Sequence, residues 1–168
     1  MGIPDQESAL ARVHVHVDSD ILRFVFDPLE EDVDLKEIAR SLFHSAGTTL
    51  KPPVVCSAPA AGEFLLVLAR DRRDSEEEFA EALRRFWRYI REDLLRIFLF
   101  GERDTEAFAC SRRIQGEDAL IDATDAAIAG CFLADPTPTV LYTTDQKLIV
   151  SQKVQAFARE RGKSIRGL

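Results

Sequence analysis

The chain has 168 residues, 46% of them hydrophobic and 30% charged, with a net charge of -7 and a pI near 5.0. That length and apolar fraction fit one globular domain with a real core, and the acidic balance excludes a long-duplex DNA clamp built on bulk charge, while a local basic patch or a bound divalent cation can still serve a phosphate ligand. The longest apolar runs, FLLVLA and the interrupted LLRIFLF, are far short of the roughly 18 residues of a membrane span, and Asp5 and Glu7 precede any apolar run, so neither a transmembrane helix nor a secretory signal is expected.

In chain order, RVHVHVDSDILRFVF begins as a Val-rich strand, and PLEEDVDLKEIARSLFHSAG reads as an acidic-fronted helix ending at Gly47. PPVVCSA is a short strand between prolines and AGEFLLVLARD is helical. DSEEEFAEALRRFWRYIREDLL is a helix capped by Asp74 or Ser75, with acids first and arginines later, the polarity a helix dipole favours. RIFLF is a strand and ERDTEAFACSRRI a helix. GEDALIDATDAAIAG, residues 116 to 130, reads as a further helix on which Asp118, Asp122 and Asp125 share an arc of about 60°. TVLYTTD is the next strand, SQKVQAFARERG the last long helix, and KSIRGL a short final strand. Alternating strands and helices predict an α/β fold, a three-layer αβα sandwich with a central parallel sheet, formed as a single domain over 1–168 with its core at about 13–168. Cys56, Cys110 and Cys131 are odd in number and lack CxxC spacing, which fits small core thiols of a cytoplasmic protein.

In such sheets ligands sit at the carboxyl ends of the strands. Asp18 and Asp20 lie where the first strand runs out, Glu63 starts the helix after VVCSA, and Asp145 ends TVLYTTD. If the 116–130 helix runs antiparallel to the strand that it feeds, Asp118 is level with Asp145. At about 1.5 Å per residue, Asp122 is then roughly 6 Å and Asp125 roughly 10 Å further from the rim. Clustered carboxylates raise one another's pKa and cannot all stay ionised. A hard cation resolves the conflict, and oxygen ligands suit Mg²⁺ or Mn²⁺, which points to phosphate chemistry.

HVHVDSDILRFVF, CSAPAAGEFLLVL, DALIDATDAAIAG and LYTTDQKLI together resemble the four acidic motifs of the PIN-domain nucleases, in that family's order and over about residues 13 to 168. The resemblance implies a PIN-like fold and a metal-dependent endoribonuclease, often the VapC-like toxin of a toxin-antitoxin pair and often a homodimer. Matched position by position, Asp18, Glu63, Asp118 and Asp145 become the metal-binding acids that carry catalysis. Asp20, Asp122, Asp125 and Thr144 flank them as supporting groups, and Asp122 and Asp125 stand where the family commonly has small apolar residues. Charge removal is therefore expected to hurt cleavage most at Asp118 and least at Asp125.

Other readings compete. His14, His16 and Asp18 share a strand face and suggest a zinc hydrolase, but no third histidine completes the set, and His44 belongs to another helix. Arg84, Arg88 and Arg91 beside Phe86, Trp87 and Tyr89, together with Lys153 and Arg159 in the basic tail, offer a weak RNA-binding surface. Helical spacing of Phe79, Leu83, Phe86 and Ile90 favours packing on the core or on a partner instead, such as a second copy or an antitoxin. The rival to the nuclease is a non-catalytic PIN-like module that binds RNA or protein.

Overall fold

The computed structural model describes residues 14–168 except 45, 49, 50, 100 and 138, with backbone alone at 102 and 139. The first 13 residues of the expected domain, and the opening of its first strand run, lie outside the described residues. Five strands form one parallel sheet in the order β3-β2-β1-β4-β5: β1 His14–Val17, β2 Val54–Ser57, β3 Leu95–Phe98, β4 Thr139–Thr143 and β5 Ser164–Gly167. Val17 stands opposite Cys56 on one side and Tyr142 on the other. The chain winds from β1 out to β3, then returns to add β4 and β5 beyond β1. The direction of winding therefore reverses between β1 and β4, and a crevice opens at their carboxyl ends.

Eight α-helices are seen among the described residues: α1 Ser19–Phe26, α2 Val33–Leu42, α3 Ala58–Asp71, α4 Glu76–Arg91, α5 Asp104–Glu117, α6 Ala123–Ala134, α7 Gln146–Val150 and α8 Gln152–Glu160. Their apolar faces build two main cores. In one, Val17, Val54, Cys56 and Leu95 of the strands meet Ile21, Phe26, Phe64, Leu68 and Phe86 of α1, α3 and α4. In the other, Leu141 and Ile165 meet Ile114, Phe132, Val154 and Phe157 of α5, α6 and α8. The sequence reading of a three-layer αβα sandwich around a parallel sheet therefore stands. Cys56, Cys110 and Cys131 are buried and unpaired, and burial pushes the Cys56 thiol up to about 12 and the Cys131 thiol to about 11, so both behave as small apolar fillers. No helix among the described residues is long and apolar enough to cross a membrane.

Three segments depart from the sequence reading. The run after Asp18 leaves the sheet at once as α1, because Asp18 takes extended backbone and its side chain accepts the Ser19 amide. Gln146–Val150 forms the short α7, capped by Asp145 through the Lys147 amide. The third departure matters most: residues 116–130 are not one helix. α5 runs through Glu117 and ends at Asp118, whose backbone is extended and whose carboxylate accepts the Leu120 amide. α6 begins only at Ala123, with Asp122 accepting the Thr124 and Asp125 amides. Short acidic side chains compete for backbone amides in this way and favour caps and turns over helix interiors.

α5 and α6 cross closely at Gly130. A Cβ there would collide with Ser111 Oγ and lie 2.7 Å from the Ala107 carbonyl oxygen, whereas one at Gly116, at the end of α5, meets nothing within 4 Å. Gly130→Ala should therefore lower stability by about 1–3 kcal/mol despite alanine's higher helix propensity, and Gly116→Ala should raise it by about 0.5–1 kcal/mol. Urea unfolding of the two variants checks the pair; equal shifts of the same sign would contradict the close crossing.

Candidate metal centre

The carboxylates gather where β1 and β4 end. Asp18 follows β1, its amide extends the ladder to the Tyr142 carbonyl (3.1 Å), and its side chain is only 3% exposed. Thr143 Oγ1 donates to Asp18 Oδ2 at 2.5 Å, and the Ser19 amide donates to Oδ1 at 2.6 Å. Burial nevertheless dominates and pushes the Asp18 carboxyl up to about 6, with Asp20 and Glu63 adding repulsion. Glu63 projects from the second turn of α3, a helix started by the buried Ser57 hydroxyl on the Ala60 amide, and its Oε2 accepts from Ser19 Oγ at 2.6 Å. Ser19 thus joins the acids at the ends of β1 and β2 through one hydroxyl.

On the β4 side, Thr143 Oγ1 also accepts the Asp145 amide at 3.0 Å, and Thr144 Oγ1 donates to Asp20 Oδ2 at 2.7 Å. Thr144 therefore bonds Asp20, while its neighbour Thr143 is the residue that bonds Asp18. Asp145 Oδ1 is engaged by the Lys147 amide. Its Oδ2 is the one buried side-chain oxygen or nitrogen among the described residues that lacks a hydrogen-bond partner. Such an atom carries a desolvation cost that a cation or a proton would relieve.

α6 completes the cluster, and it does so with a different acid from the expected one. Asp125 lies in the first turn of α6, half buried, and its carboxyl is pushed up to about 8 by burial first, then by Asp145, Asp122 and Asp18. Asp122, exposed at the cap, is instead held below the usual carboxylate range by the Asp125 and Thr124 amides, with Lys147 adding attraction. Asp118 sits five residues before α6 in the turn from α5, and it is not among the charges that act most strongly on Asp18 or Asp125. The helix starts later than expected, at Ala123, so Asp118 lies in the turn before it and Asp125 in its first turn. Asp125, read as the remotest of the three, is the one brought together with Asp18 and Asp145.

Among the described residues, no three His, Cys, Asp or Glu side chains already converge as a cage around an ion. The oxygens are turned instead toward caps and hydroxyls. Their chemistry still fits a hard divalent cation: oxygen donors only, two carboxyls pushed upward by burial and then by neighbouring acids, and one buried carboxylate oxygen without a partner. The zinc alternative does not form, because the buried His16 turns to Asp135 (2.8 Å) and Phe132 rather than toward Asp18. Of the weak RNA-binding residues, those on α4 lie apart from the acids. Arg84 pairs with the exposed Glu81, and Arg88 and Arg91 sit in the last turn of α4, which leads into the opposite, starting end of β3. Lys153 donates to the Glu117 carbonyl, and Arg159 is exposed on α8. Phe86 packs in the core while Trp87 is half exposed on a groove of about 670 Å³ along α4.

No protein-family model matches the chain, and no curated protein matches it in sequence. Among solved structures, the chain is similar to the crystal structure of VapBC2 from Rickettsia felis bound to a DNA fragment from their promoter, with a TM-score of 0.59 at 12% identity, over 92% of this chain and 98% of that one. At that identity the likeness shows the fold alone, an αβα sandwich around a parallel sheet.

The crowding of acids has a pH signature. Asp18 and Asp125 keep their protons in the folded state to higher pH than an unfolded chain would, so stability is full near pH 4 and is lost as pH rises toward about 8. The melting temperature of the metal-free protein should fall across that window, and Asp125→Asn should flatten the fall and melt higher than wild type at pH 8. A wild-type melting temperature that climbs from pH 5 to 8 would count against the crowding.

Proposed function

We propose that this chain is a metal-dependent endoribonuclease that hydrolyses RNA phosphodiester bonds, and that it serves as the toxin of a cytoplasmic toxin-antitoxin pair. The observation that carries the reading is the buried, unpartnered Asp145 Oδ2, beside which burial and neighbouring acids push the Asp125 and Asp18 carboxyls upward in pKa. In this reading Asp18, Glu63, Asp125 and Asp145 hold a Mg²⁺ or Mn²⁺ ion, Asp20 and Asp122 flank it, and Asp118 stands outside the set. The ion supplies positive charge that lets the acids ionise together and offsets charge building on the phosphodiester during in-line attack. Thr143 and Ser19 hold the Asp18 carboxylate in one orientation through three hydrogen bonds, counting the Ser19 amide, and Ser19 orients Glu63 as well. A bound ion would favour the ionised form of Asp125, whose carboxyl is otherwise pushed up to about 8 by burial and the neighbouring acids.

The resemblance of the four motifs to PIN-domain nucleases and the VapBC-like fold support this reading, together with an antitoxin protein as partner and a homodimer as the assembly. A second reading, a non-catalytic PIN-like RNA-binding or protein-interaction module, is favoured by the absence of a ready-made ligand cage among the described residues. Cleavage separates the two. Incubated with single-stranded RNA, the protein should cut with Mn²⁺ and stop with EDTA; binding without cutting would select the module. Among charge-deleting variants confirmed as folded, Asp125→Asn should lose on the order of a thousandfold, as removal of several kcal/mol of stabilisation implies. Asp122→Asn should lose about 10- to 100-fold, and Asp118→Asn should stay near wild type. An inactive Asp118→Asn beside an active Asp125→Asn would overturn the assignment.

A further inference from the structure

The end of α6 remote from the carboxylates is tied into the sheet by a buried polar pair that the proposed chemistry leaves unused. Asp135 caps the C-terminus of α6 and is 8% exposed; His16 lies in β1 and is 1% exposed. Their side chains meet at 2.8 Å, Nε2 to Oδ2, across 119 residues of sequence. The other Asp135 oxygen accepts the Thr137 amide (2.9 Å) and hydroxyl (2.6 Å), and Lys163 Nζ donates to the Thr137 carbonyl at 2.7 Å. Phe132, one turn back on α6, meets the imidazole edge-on at 5.4 Å and fixes its tilt. The His16 and Asp135 shifts agree on one arrangement. Burial keeps the imidazole neutral, and hydrogen bonds from His16 and Thr137 overcome the upward push of burial to keep Asp135 ionised, so Nε2 carries the proton and donates it.

The positions of the two partners along the chain give this bond its consequence. His16 stands two residues before Asp18 on the same strand, and Asp135 ten residues after Asp125 on the same helix. A helix is stiff over those residues, about 15 Å at 1.5 Å each, so the seat of its far end sets where its first turn lies. That first turn carries Asp125, and the strand that bears His16 runs directly into Asp18, so the bond at the far end bears on how the two acids are placed.

We propose that the His16–Asp135 bond is the strut that holds α6 against β1 and thereby sets the affinity of the carboxylate rim for a divalent ion; the proposal rests on the metal-site reading above. His16 and Asp135 are positioning residues, which act through Asp18 and Asp125. A strut of this kind is replaceable by any side chain of similar reach that donates one hydrogen bond. Glutamine places its amide nitrogen near the place of the imidazole Nε2, whereas leucine fills the volume and donates nothing.

Calorimetric titration of the full chain with MnCl₂ tests the strut. His16→Leu should bind Mn²⁺ about 10- to 100-fold more weakly than wild type, the loss typical when a group supporting a metal site is removed, and His16→Gln should recover to within a few-fold. In the metal-free protein, amide exchange at Thr124 and Asp125 should be faster in His16→Leu than in His16→Gln. If His16→Leu does not fold, Asp135→Asn, which keeps shape but weakens the bond, should show the same direction of change. A pair that serves stability alone lowers the melting temperature and leaves the Mn²⁺ dissociation constant of a folded variant unchanged, and that result overturns the proposal. Wild-type protein that binds no Mn²⁺ defeats the metal-site reading and this inference together, whereas wild-type binding retained in the variants defeats only the inference.

Discussion

An aspartate that is 3% exposed has lost nearly all of its hydration, and a carboxylate is tolerated there only when donors replace the water. Asp18 has such donors because two chain segments end beside it: β4 delivers the Thr143 hydroxyl, and the turn into α1 delivers the Ser19 amide and hydroxyl. Those donors do not fully offset burial, since the Asp18 carboxyl is still pushed to about 6, and each further acid in the crevice adds to the imbalance. Glu63, Asp125 and Asp145 are nonetheless brought to the same place by three separate elements. A protein does not gain stability from that arrangement by itself. In the proposed function a divalent cation would offset these unfavourable electrostatics.

The parallel topology explains why these acids meet. Right-handed windings in opposite directions from the centre of the sheet leave β1 and β4 paired to their carboxyl ends while their connections diverge to opposite faces. α3 enters the rim from one side with Glu63, and α6 from the other with Asp122 and Asp125. The helix N-termini present amides and positive dipole ends toward the carboxylates, which softens the repulsion. Close crossing at Gly130 and the His16–Asp135 bond then fix α6 at its middle and its far end.

Much of this was legible in the sequence. Alternation of Val-rich runs with amphipathic stretches gave the layer order, and the strand-end rule singled out Asp18, Glu63 and Asp145, of which Asp18 and Asp145 do follow β1 and β4. The boundary of α6 was not legible from helical periodicity, because Ala119, Leu120 and Ile121 continue an apolar helical pattern straight across a turn. The signal that separates the two helices is local and chemical. Asp118 and Asp122 each capture a backbone amide two residues on, and Asp122 also takes the one at Asp125, as an N-cap does. Reading Asp122-Ala-Thr-Asp125 as a cap followed by an acidic first turn moves the helix start by about two turns, placing Asp125 in the first turn of α6 and Asp118 in the turn before it. Ser19 and Thr143 were overlooked for a related reason: a small hydroxyl beside an acid looks like any strand-end residue until the partner across the sheet is known.

The central claim is that one set of acids, drawn from β1, α3, α6 and β4, forms a single cation site from which Asp118 is excluded. Anomalous diffraction from a crystal soaked in MnCl₂ tests it most directly. The account predicts one manganese peak, or a close pair, in the crevice between Asp18, Asp125 and Asp145, at the ordinary metal–oxygen distance of about 2.0–2.2 Å from at least two of them. A peak coordinated by Asp118 with none beside Asp125, or a crevice without manganese at saturating metal, would contradict it.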